Sequence, residues 1–163
     1  MPPVGGLANH LRHRLLALSP TARQVLAAAA ILGNQFTIAR VKRIADVPAN
    51  LVFDALQELE QFHLIRGIGD DGVYTFIHDK IREVLLSDLS LARRRMLHLR
   101  AAHQLQVEDH VGENPNSARI ATHLTAGGEP SAAILAWLAA ARAFIWIIPA
   151  PATRCKRTRC RDP

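Results

Sequence analysis

His63-Leu64-Ile65-Arg66-Gly67-Ile68-Gly69-Asp70-Asp71-Gly72-Val73-Tyr74-Thr75-Phe76-Ile77 decides the fold. Two short β-prone runs flank a Gly/Asp turn, and that pattern predicts a hairpin. Working backwards, Pro48 ends one helical pattern and precedes another. Residues 49–62 carry Val52, Ala55, Leu56, Leu59 and Phe62 at helical spacing. Before them, Phe36-Thr37 opens a short helix with Thr37 as its cap and Ile38, Val41 and Ile44 on one face. Earlier still, Ser19-Pro20 is a helix start, since Ser suits the cap and Pro the first helical position. That helix reaches Leu32 through Ala22, Val25, Leu26 and Ala29, and Gly33 stops it.

Three helices followed by a hairpin is the order of a winged helix. The fold expected is therefore mainly α: a winged helix over residues 19–88, then a helical-repeat-like segment. Residues 1–18 are expected to be a linker with a short helix bearing Leu11, Leu15 and Leu18. Downstream, residues 78–87 form a helix with Ile81, Val84 and Leu85 inward. Ser90 caps a long helix with two apolar flanks, Leu97, Ala101, Leu105 and Ala92, Met96, Leu99. After a loop at residues 112–116 come a helix over 117–126, the turn Gly127-Gly128, and a helix from Pro130 with Ile134, Trp137, Leu138 and Ala141 on its stripe. Short helices with small residues at their crossings, over residues 89–143, suggest a tetratricopeptide-like array, whose units cannot bury their faces alone. Past Phe144 the pattern breaks into an irregular basic tail over residues 144–163. Residues 149–163 are expected to be disordered, with an apolar patch at residues 144–148.

Composition narrows the function. The chain has 163 residues, about one domain, with 49% hydrophobic and 21% charged residues. Much of the net charge of +6 sits in Arg154, Lys156, Arg157, Arg159 and Arg161, opposed by Asp162. The high isoelectric point thus reports a tail rather than a basic binding face. Arginine outnumbers lysine 17 to 3, the codon usage of a GC-rich bacterial genome. Neither a signal peptide nor a long apolar run is present, so a cytoplasmic location without membrane contact is expected. Cys155 and Cys160 have no zinc spacing. No GxxxxGK[ST] phosphate loop, GxSxG elbow, HExxH or paired CxxC occurs, so no catalysis is expected in this chain.

Several stretches together resemble a family. Leu18-Ser19-Pro20-Thr21-Ala22-Arg23-Gln24-Val25-Leu26, Phe76-Ile77-His78-Asp79-Lys80-Ile81-Arg82-Glu83, Ser90-Leu91-Ala92-Arg93-Arg94-Arg95-Met96-Leu97-His98 and Ala121-Thr122-His123-Leu124-Thr125-Ala126-Gly127 resemble STAND-type signal-transduction ATPases. The resemblance covers residues 12–143. It implies an upstream phosphate-loop ATPase domain, a winged helix, then a repeat array that meets protein partners or an inducer. This chain is then a regulatory, non-catalytic portion, a partial or truncated protein, with ATP or ADP held elsewhere in the parent. Ile77-His78-Asp79 resembles the family's MHD motif, with Ile for Met. The resemblance implies that His78 reaches a phosphate of bound ADP. The local alternative is structural: Asp79 caps the next helix and His78 is a junction residue.

The competing class is a DNA-binding winged-helix transcriptional regulator, and a third is an enzyme accessory subunit. The third helix carries Asp54, Glu58 and Glu60 without Lys or Arg, and the turn adds Asp70 and Asp71. Phosphate binding is driven by cations, so sequence-specific DNA binding is not expected. Arg40, Lys42 and Arg43 lie on the second helix, away from base-reading positions. Arg93-Arg94-Arg95 is expected to be a solvated face balanced by Asp88 and Asp79. His10/His13 at i, i+3 could share a face but have no third ligand, and His98/His103 at i, i+5 point apart, so no metal is expected.

Overall fold

A computed structural model describes residues 4–69, 71–108 and 116–147. The expectations for Asp70, for residues 112–115, for the side chains at 144–148 and for the tail with Cys155 and Cys160 lie outside the described residues. The fold is mainly helical with one small sheet. Its elements run α1 (Val4–Leu16), α2 (Pro20–Leu32), β1 (Gln35–Thr37), α3 (Ile38–Ala45), α4 (Ala49–Gln61), β2 (Ile65–Ile68), β3 (Val73–Phe76), α5 (Asp79–Asp88), α6 (Leu91–Glu108), α7 (Ser117–Gly127) and α8 (Pro130–Ile147).

α2 is the centre of the core. Ala22, Val25, Leu26, Ala28, Ala29 and Ala30 are fully enclosed, and α3, α4, α5 and α6 all pack on this helix. The alanine run lets four neighbours approach one axis, and leucines there would hold them apart. The start of α2 is fixed by Ser19, whose hydroxyl accepts from the Ala22 amide at 3.1 Å. Glu58 of α4 completes this cap, accepting from Ser19 N at 2.7 Å and Ser19 Oγ at 2.6 Å. Ser19→Ala removes the cap and one partner of a half-buried carboxylate. It is expected to cost about 1–2 kcal/mol, read as a lower midpoint in urea with the slope unchanged.

The sheet is antiparallel, in the order β1-β3-β2. The hairpin β2–β3 forms as its turn chemistry predicts, with Gly69 and Gly72 both at positive φ. β1 departs from the sequence reading, which began a helix at Phe36. Three residues are too short to show strand alternation, and this strand exists because β3 pairs with it. Phe36 is opposite Tyr74 and also packs edge-on against Phe76, with ring centroids 5.7 Å apart. Thr37 still caps α3, accepting from the Arg40 amide.

The short helix expected near the start of the chain is α1, and it packs on the core. Leu11, Leu15 and Leu18, one face of α1 and its exit, enter the main core, and Arg12 forms a two-pronged ion pair with Asp88 at 3.0 Å. α6 joins the two halves of the chain. Leu97 and Ala101 belong to the core around α2, whereas Ala102 and Leu105 belong to a second cluster with Ile120, Leu124 and Ala133. Two ion pairs tie the same helix to α3 and its C-terminal cap, Arg40–Glu108 at 2.9 Å and Arg100–Asp46 at 3.0 Å.

α8 corrects the expectation twice. Its backbone remains helical to Ile147, because the first proline stands only at 149. Its packed face is also not the predicted stripe. Ala133, Ala136 and Ala140 lie inward or half-inward, whereas Ile134, Leu135, Trp137 and Leu138 are 48–71% exposed. The small residues of α8 make the contact and the bulky ones do not. A close approach is seen between α6 and α7, where a Cβ at Gly127 would stand 2.6 Å from Leu99 Cδ2.

Candidate functional site

The junction of β3 and α5 positions Ile77-His78-Asp79. Phe76 ends the central strand, Ile77 bonds back to the Leu64 carbonyl at 3.1 Å, and His78 is the extended residue before α5. Its backbone carbonyl takes the Ile81 amide at 3.0 Å. The imidazole itself is exposed and makes no capping bond. Asp79 is not the cap that the sequence suggested. It is the first helical residue, and its carboxylate accepts from Asn34 Nδ2 at 2.5 Å. The chain geometry explains the difference: the cap position needs extended backbone, which His78 adopts and Asp79 does not. Asp79 still places negative charge at the positive end of α5.

A second pair of side chains was not anticipated. His98 of α6 and His123 of α7 meet with Nδ1 atoms 2.9 Å apart and ring centroids at 5.2 Å. One ring must donate its Nδ1 proton and the other accept it, so the neutral pair holds two different tautomers. His123 is buried, and burial pushes its pKa down to about 4, with His98 and Arg119 adding to the shift. Burial likewise lowers the pKa of His98, assisted by Arg94 and Arg82. This is a neutral, desolvated pair inside a helix–helix contact. The signal available for His123 was its place three residues after Ile120 and one before Leu124, both core residues of α7.

The third helix presents little to a polyanion. Glu58 is turned inward to Ser19, and Glu60 accepts from the Gly67 amide at 3.2 Å. Of the acid-rich face expected from sequence, Glu58 is turned inward, whereas Asp54, Glu60 and Asp71 stay exposed. Apolar side chains also stand out from α4, Leu51 at 40% and Phe53 at 58% exposed, and no cation lies on the helix. On α3, Arg40 is engaged with Glu108, leaving Lys42 and Arg43 exposed.

Of the two carboxylates expected to balance the Arg93-Arg94-Arg95 run, Asp88 is paired instead with Arg12, and Asp79 accepts from Asn34. Among the described residues, no three His, Cys, Asp or Glu side chains come together as a metal cage. None of the described helices is long and apolar enough to cross a membrane. No protein-family model, curated protein or solved structure matches the chain.

Proposed function

We propose that the chain is the non-catalytic regulatory part of a STAND-type ATPase or transcriptional regulator, a winged helix joined to the start of a tetratricopeptide-like array. The observation that carries this reading is the run helix–strand–helix–helix–strand–strand with β3 in mid-sheet, delivering an exposed His78 at the strand–helix junction. In that reading His78 senses the phosphate of ADP held by an upstream ATPase domain, and this chain holds no nucleotide of its own. The bare apolar side of α8 supports a further helix as its neighbour, since array units cover one another's faces. Protein partners or an inducer would be met through those repeats. The DNA-binding alternative lacks a cation on α4 to support it.

The test is the coding DNA on either side of this chain. An in-frame phosphate-loop domain upstream is expected, and flanks without one overturn the reading. The chain alone is expected to hydrolyse no ATP above background. In a protein that carries both parts, His78→Ala is expected to weaken ADP retention about ten- to a hundredfold, the worth of one charge-assisted hydrogen bond. Equilibrium ADP binding measures it, and an unchanged affinity assigns His78 a purely local role.

A further inference from the structure

The elbow between α5 and α6 lies over the start of α2 and the end of α1, leaving two adjoining cavities of about 310 and 350 Å³. They share Arg23, Ala27 and Leu89, so together they form one open groove. The floor is apolar: Leu15, Ala27 and Leu85 are buried with faces toward the groove, and Leu89 is half-buried. Leu16 stands at its edge, 69% exposed.

The charge around this floor is one-sided. Arg12 and Asp88 neutralise each other across one wall. Gln24 is committed to the Ala45 carbonyl at 2.6 Å. Arg23 and Arg93 remain, and neither makes an ion pair with another described residue. They project from the first turns of α2 and α6, where the helix dipoles add positive potential.

We infer that this groove is a docking site for an acidic amphipathic segment of another protein, its apolar side chains on the leucine floor and its carboxylates on Arg23 and Arg93. Helix-in-groove recognition uses this combination of apolar anchors and flanking charge. A second copy of the chain is a poor occupant, because its bare apolar helix, α8, has no Asp or Glu to meet the two arginines. Nucleic acid is a poor one too, because two cations over aliphatic side chains provide neither a phosphate track nor a stacking platform.

The experiment uses the full chain and a fluorescein-labelled synthetic peptide of about 14 residues, with leucines at i, i+3, i+4 and i+7 and glutamates elsewhere. Fluorescence anisotropy is expected to report saturable binding. Charge reversal by Arg23→Glu with Arg93→Glu is expected to weaken it about tenfold, and Leu16→Ser is expected to weaken it as well. Arg23 is exposed, and neither arginine makes an ion pair with another described residue, so the variants should keep the wild-type circular dichroism. The tail at residues 154–161 is common to all these proteins, so it cannot produce the difference. A peptide of the same composition with its leucines dispersed is expected to bind less. Equal binding of that peptide, unchanged binding by the charge-reversed protein, or no binding to the wild type overturns the inference. Vesicles of phosphatidylcholine with phosphatidylglycerol form a further arm. If they bind through Arg23 and Arg93 and displace the peptide, the surface is a membrane contact and the inference fails.

Discussion

Lowering the pH from 7 toward 4 is expected to destabilise the protein by about 3 kcal/mol through His123 alone, whose folded pKa falls to about 4. In the unfolded chain this imidazole takes up its proton near pH 6.5. In the folded chain it cannot, because α6 and α7 enclose it and His98 and Arg119 oppose a further charge. A depressed histidine pKa therefore leaves stability intact above about 6.5 and removes it as pH falls toward 4. His98, lowered by burial and by Arg94 and Arg82, acts in the same direction. The two rings titrate as a pair, since double protonation would leave two Nδ1–H donors facing each other 2.9 Å apart. Urea midpoints measured from pH 7.5 to 4.5 check this. Replacing the pair together, His98→Leu with His123→Leu, should flatten the profile below pH 6.5. A profile of unchanged steepness in that double variant would place the acid sensitivity elsewhere.

That pair also marks where the sequence stopped being legible. Helix positions followed from local rules: Ser19 caps α2, Thr37 caps α3, and Gly128 ends α7 in the left-handed region. Each of those signals is contained within one turn. Contacts between elements are not. His98 and His123 are 25 residues apart, and only the crossing of α6 and α7 brings them together. Glu58 looked like a free charge on an exposed helix because its partner, Ser19, lies 39 residues earlier. β1 has no strand signature of its own and is made by pairing with β3. The α8 stripe failed for another reason. Hydrophobic periodicity marks the bulkiest apolar face, whereas the contact on α8 is made by its small residues. Ala133 and Ala140 were passed over for Ile134 and Trp137 on that account. The junction residue His78 was placed correctly in the chain. Its capping partner was displaced by one residue, which the usual uncertainty of helix starts permits.

Leu97→Ala is expected to have the largest effect of any single truncation at the joint between the two halves. The side chain has no exposure and sits on α6 among core residues of α2 and its neighbours. Removing three carbons from a close-packed interior costs about 2–5 kcal/mol, more where the site cannot collapse. Collapse is opposed here, because α6 is pinned to α3 and its cap on the C-terminal side of the gap. Arg100 holds Asp46 and the Ile44 carbonyl, and Arg40 holds Glu108. The cavity should also be felt beyond its own cluster. One to two turns later the same helix supplies Ala102 and Leu105 to the cluster with α7 and α8. Loosening α6 from α2 therefore loosens the platform on which the bare face of α8 stands. Both described clusters should melt in one step. Tryptophan emission, which comes from the α8 region, and far-ultraviolet circular dichroism, which reports all helices, should give coincident urea transitions in the wild type. In Leu97→Ala both should move together to lower urea. If the tryptophan transition stays in place while part of the helical signal is lost early, α6 does not couple the halves. A contact made on α8 could then not be communicated to the junction at His78 through this helix.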